Sequence, residues 1–163
     1  MSIDKDRLIA ALLPDPEEGW RVHRPEGEAP LLCLCTRQSR WERALFNGKL
    51  PLRGRTRYEL QCVFHVDLLD FNTLAQCLDL AAGQLARRLE HHTGPVRSRL
   101  SAVILCDRAL PDALERLESV RPAVGVRHAA AYAAAVELSE GILTLSPGAR
   151  ALAHAVKAAL SEA

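Results

Sequence analysis

The clearest pattern in the chain is an alternation from Arg57 to Leu68. Tyr58, Leu60, Cys62, Phe64, Val66 and Leu68 fall on one side, and Arg57, Glu59, Gln61, Val63, His65 and Asp67 fall on the other. A period of two belongs to a strand, not a helix. One face must meet a core while the other is mostly polar. The period then changes. Asp70 can cap a helix that opens with Phe71, Asn72 and Thr73. Leu74, Leu78, Ala81, Leu85 and Leu89 form its apolar stripe, with Cys77 and Ala82 beside it. Arg87, Arg88, His91 and His92 suit the negative end of that helix, and Gly94-Pro95 closes it. From Arg99 to Asp107 both faces are apolar, which predicts a central strand covered on both sides. Pro111 opens a further helix through Val120, with Leu110, Leu114 and Leu117 on one side. Strand, helix, strand, helix predicts a βαβ-type unit at 57–107 and parallel pairing within a sheet.

The flanks are more broken. Asp4 to Leu13 reads as a short helix stopped by Pro14 and Pro16. Trp20 to Arg24 and Leu31 to Thr36 read as two strands joined by a Pro- and Gly-containing turn, hence a hairpin. Gln38 to Asn47 predicts a short helix with Trp41, Leu45 and Phe46 inward, ended by Asn47-Gly48. Lys49 to Arg55 is a basic connection. Val124-Gly125-Val126 is expected to continue the sheet. The six Ala between Ala129 and Ala135 favour helix locally. The alternation from Val136 to Leu145 around Gly141 favours a hairpin. Ser146-Pro147 predicts the cap and first turn of a last helix with Leu152, Val156 and Leu160 buried.

Composition bounds the whole. A chain of 163 residues with 27 Leu and 25 Ala is expected to be one α/β domain over 1–163. Its residues 1–29 are expected to be partly irregular and acidic. The predicted architecture is a mixed sheet of about five or six strands flanked by helices. No run reaches the roughly 18 apolar residues of a membrane helix, and the acidic N-terminus has no apolar core of the signal-peptide kind. The expected compartment is therefore the bacterial cytoplasm. Five cysteines, an odd number with no C-x-x-C pair, are expected to be reduced core thiols. Among the basic residues 18 are Arg and 3 are Lys, which leaves little lysine chemistry.

The formal net charge of +1 hides a segregation. Asp15, Glu17, Glu18, Glu26 and Glu28 gather near the N-terminus. Arg37, Arg40, Arg43, Lys49, Arg53, Arg55 and Arg57 follow with only Glu42 among them, a local net of +6. Trp41, Phe46 and Tyr58 are interleaved. Such a cluster can neutralise phosphates while aromatics stack bases. The six arginines are thus the candidate anion-binding set. The alternative is a solvated face partly paired with the acidic segment.

Catalytic chemistry is less well served. Glu59, His65 and Asp67 share the polar side of the 57–68 strand and are its candidates for proton transfer. Glu59 and Asp67 stand about 27 Å apart along a strand, so only neighbours such as His65 and Asp67, or Glu59 and Gln61, can share a site. Cys33 and Cys35 point to one face, whereas Cys62 and His65 point to opposite faces and cannot bind one ion. No complete metal set is expected, and no cofactor. Phosphate-binding loops, the nucleophile elbow and H-E-x-x-H are all missing from the sequence.

At the level of topology the 57–120 run is similar to the restriction-endonuclease-like core. That resemblance implies a carboxylate and a D/E-x-K pair on adjacent strands. Glu59-Leu60-Gln61 is the nearest match, with Gln in the Lys position and no clear upstream Asp. The resemblance therefore implies an inactive relative as much as a nuclease. The sequence leads us to expect a non-catalytic binding or interaction module, with a second copy of itself or another protein as partner. The competing expectation is a nucleic-acid binder or metal-assisted phosphodiesterase that uses the 37–57 segment with Glu59, His65 and Asp67.

Overall fold

A computed structural model describes residues 3–41, 44–45, 50–51, 55–92 and 96–163. Helix α1 spans Lys5–Leu12 and is capped by Asp4, whose carboxylate accepts the Asp6 and Arg7 amides. A single 3-10 turn at Pro16–Glu18 leads to β1 (Arg21–His23) and β2 (Leu31–Trp41). Short strands β3 (Ala44–Leu45) and β4 (Leu50–Pro51) pair with each other before β5 (Arg55–Leu69). Helix α2 (Phe71–Leu89), β6 (Val96–Ala109) and α3 (Pro111–Ser119) follow. The chain ends with β7 (Ala129–Glu137), β8 (Ile142–Leu145) and α4 (Arg150–Glu162).

The main sheet has six strands in the order β1-β2-β5-β6-β7-β8. The expected α/β fold with a mixed sheet is what forms. β1, β2 and β5 are antiparallel neighbours, β5, β6 and β7 run parallel, and β8 returns antiparallel. The βαβ unit reaches further than the sequence implied, because β7 joins β6 in parallel as well.

The helices divide between the two faces. Leu74, Cys77, Ala81 and Leu85 of α2 and Ala113 and Leu117 of α3 pack on Leu60, Phe64, Leu100 and Ile104. Leu8 and Leu12 of α1 and Leu152 and Val156 of α4 pack on Val63, Val103, Leu105 and Val136 from the other side. Both parallel crossovers therefore lie over one face. A crevice at the carboxyl ends of parallel strands forms where successive crossovers go to opposite faces, and here they do not.

Three expectations are corrected. The helix expected over 38–47 is strand instead as far as Trp41, and again at Ala44–Leu45. The register from Leu34↔Cys62 to Trp41↔Arg55 gives the first stretch a ladder partner, and Leu50–Pro51 pairs with Ala44–Leu45. That hydrogen bonding overrides a weak local helix preference. Phe46, Asn47 and Gly48 lie outside the described residues, as do Lys49 and Gly94-Pro95. Val124–Val126 does not join the sheet; β7 begins only at Ala129. Its alanines form a strand because they sit between β6 and β8, where small side chains suit a strand covered on both faces. Ser146 is not the cap of the last helix. Its hydroxyl accepts the Ala133 amide at 2.9 Å, and α4 starts only at Arg150. The five cysteines are buried free thiols.

Candidate arginine groove and the two ends of strand β5

The α1–α4 face of the sheet is covered only in its middle. Toward the amino ends of β5 and β6 it opens, and the pleat brings polar side chains into rows. Register places Ser39, Arg57 and Arg97 side by side, then Arg37, Glu59 and Arg99, then Gln61, Ser101 and Tyr132. Arg97, Arg99 and Tyr132 are contributed by strands far along the chain from the 37–57 cluster.

Glu59 is buried, with 6% exposure. A buried carboxylate needs a charged partner, and Arg37 supplies it. Its Nε donates to Glu59 Oε2 at 2.7 Å and its Nη2 lies against the same oxygen. The Arg37 guanidinium also sits 4.8 Å from the centre of the Trp20 ring and 3.7 Å from Glu18. One arginine thus ties β2 to β5 and to the acidic N-terminal segment. Its charge is already answered, by Glu59 first and by Glu18 at longer range. Gln61 is also committed: its Nε2 donates to the Leu12 carbonyl at 3.0 Å. That carbonyl belongs to the last turn of α1, where a helix has no partner of its own.

Beyond this pair lies a groove of about 740 Å³. Arg40, Arg57, Arg97 and Arg99 line it with His128 and Tyr132, and no carboxylate lines it among the described residues. Arg57 Nη2 is 3.9 Å from Glu59 Oε1, while the Arg99 guanidinium stacks 5.3 Å from the centre of the Tyr132 ring. His128 sits at the rim with φ 55°. That left-handed conformation costs a non-glycine residue roughly 1–2 kcal/mol. It turns the chain into β7 so that the His128 carbonyl accepts the Ser98 amide at 3.3 Å. Of the arginines expected to bind anions, Arg40 and Arg57 line the groove and Arg37 lies beside it. Arg43 and Arg53 lie outside the described residues, and Arg55 is described as part of β5 only through its backbone. Arg97, Arg99 and His128 were not foreseen. Their signal in the sequence was faint: two arginines flanking Ser98 at the start of a strand otherwise read as core.

The carboxyl end of the same strands is different. His65 Nε2 lies 3.2 Å from Asp107 Oδ1. Register sets Val66 against Cys106 and Leu68 against Arg108, which brings Asp67 beside Asp107. Donor atoms of His65, Asp67 and Asp107 all fall within 4.8 Å of one another. One imidazole and two carboxylates suit a divalent cation in kind. Asp107 was not among the sequence candidates, because its partners come from another strand. Glu59 does not join this group: it lies four pleats away at the arginine end, and Val63 between them is buried under α1. The three catalytic candidates are therefore split, with Glu59 held by Arg37 and His65 beside Asp67.

Burial makes the thiols poor nucleophiles. Desolvation pushes Cys62, Cys77 and Cys106 up to about 12, and Cys35 to about 11. Among the described residues no helix is long and apolar enough to cross a membrane. Compared with known proteins, the chain matches no family model, no curated sequence and no solved structure.

Proposed function

We propose that this protein is a non-catalytic binding module whose ligand is a phosphodiester polyanion, that is, a nucleic acid. The observation that carries the reading is the groove lined by Arg40, Arg57, Arg97 and Arg99, with no carboxylate among its described lining residues. Neighbouring strands are about 4.8 Å apart and same-face residues along a strand roughly 6.6 Å apart. Arginines at those separations serve a row of phosphates better than a single one. Arg offers a planar fork that meets phosphate oxygens in pairs. The reading is non-catalytic because Glu59 is consumed by Arg37, and His65 and Asp67 stand at the far end of β5. A phosphodiesterase site built from Glu59, His65 and Asp67 would need them together. We do not extend the proposal to a homodimer. The Leu152–Val156 stripe of α4 packs on the chain's own sheet.

The test is fluorescence anisotropy with a labelled single-stranded oligonucleotide over a range of salt concentrations. The wild type is expected to bind with an affinity that falls steeply with salt. An Arg57→Ala/Arg97→Ala/Arg99→Ala variant should lose most of it, and its log–log salt slope should shrink by about 2. Unchanged binding by that variant, or no salt-sensitive binding by the wild type, overturns the proposal.

A further inference from the structure

We infer that a small cavity opening beside the arginine groove receives a pyrimidine base, so that groove and cavity together hold a pyrimidine nucleotide unit. The inference rests on the anion-binding reading above. The cavity measures about 140 Å³. Arg99 and Tyr132 line both it and the groove, so the two adjoin across this pair. A ligand whose phosphate lies on Arg97 and Arg99 would have its next group beside the mouth of the cavity.

Size sets the first limit. A protein cavity of about 150 Å³ admits one benzene ring. The cavity here matches a single six-membered ring and is small for the two fused rings of a purine. Its walls set the second. Trp20 and Tyr132 provide aromatic surface, against which a base can stack. Ala151 and Ala155 of α4 complete the enclosure with small side chains that leave the room free. Hydrogen bonding sets the third. The Gln61 amide nitrogen is already given to Leu12, which leaves its Oε1 as an acceptor. Ser101 adds a hydroxyl and Arg99 further donors. A thymine or uracil ring presents one N–H between two carbonyl oxygens, which is the complement of an acceptor flanked by donors. Glu59 at the back of the cavity remains neutralised by Arg37, so a neutral base meets no free carboxylate.

The test compares three single strands of equal length and charge: oligo-dT, oligo-dA and an abasic phosphodiester chain. Oligo-dT is expected to bind about tenfold more tightly than the abasic chain, a ratio in the range of base stacking. Oligo-dA is expected to match the abasic chain. Ala155→Phe, at an exposed helix position, fills the cavity and should bring oligo-dT down to the abasic value without changing abasic binding. Ser101→Ala, which fills nothing, should lower the same ratio. UTP that displaces oligo-dT makes the free nucleotide a source of the base; UTP that does not displace it leaves the strand as the source. Equal binding of all three strands, or oligo-dA above oligo-dT, overturns the cavity assignment while the groove stands. If none of the three binds in a salt-sensitive way, it is the groove reading that fails.

Discussion

Strands β5 and β6 show two different faces. Toward α2 and α3 the side chains run apolar from Tyr58 to Phe64 and from Leu100 to Cys106, all buried in one continuous cluster. Toward α1 and α4 only the middle is apolar: Val63, Val103 and Leu105 are buried, with arginines before them and His65, Asp67 and Asp107 after. The difference follows from helix length. α2 runs for 19 residues along the sheet, whereas α1 has 8 and α4 has 13, and between them they leave the strand ends uncovered. A short helix on one side of a long strand is enough to leave that side core in the middle and open at both ends. Strand register then spaces the arginines at the open end.

The contrast can be broken most sharply at Phe64, which is fully buried in the α2–α3 layer. Phe64→Ala should cost about 3–5 kcal/mol of stability, as removal of a large core ring usually does. Arg97→Ala on the open end should stay within about 0.5 kcal/mol. Urea unfolding of the two variants measures both, and comparable losses would mean that the open end is structural. A middle case is Glu59→Gln. It removes the charge that Arg37 grips, and hydrogen bonds to charged groups are worth about 1.5–3 kcal/mol. If the unfolding midpoint does not move, Arg37 is a free cation and belongs with the groove.

An effect that vanishes at neutral pH is the dependence on alkaline pH. Burial raises Cys62, Cys77 and Cys106 from an ordinary value near 9 to about 12. A raised folded-state pKa contributes stability that is present below the unfolded value and lost as pH rises. Stability should therefore be unaffected by these thiols at neutral pH and decline from about pH 9 toward 12. A thiol reagent near pH 8 should label none of the five in the native protein and all five in denaturant. Rapid native labelling of Cys62, Cys77 or Cys106 would show that the α2–α3 layer opens easily.

The alternation from Arg57 to Leu68 located β5, and the stripe from Leu74 to Leu89 located α2, because each pattern is set by local geometry alone. Asp70 was legible as a cap for the same reason: its carboxylate accepts the Thr73 amide at 2.7 Å, three residues away. Trp41 and Leu45 misled, since a spacing of four is weaker than strand pairing: Trp41 is laddered to Arg55, which no local window contains, and Leu45 to Leu50. Ser146 misled in a similar way. Its hydroxyl found Ala133 on the neighbouring strand rather than its own helix.

The candidate site divides along the same line. Arg40, Arg57 and the segregation of acids from arginines were visible in the sequence, because residue type and order are all they require. Pairing Arg37 with Glu59 required the antiparallel register of β2 on β5. Bringing Arg97 beside Arg57 and Asp107 beside His65 required the parallel register of β6 on β5. Hydrophobic period is a property of neighbours in the chain, so the sequence by itself determined which segments are strands and helices in this protein's centre. Which charges meet, and which are left facing solvent, depends on strand register and on where a short helix stops. Only the tertiary structure decided that.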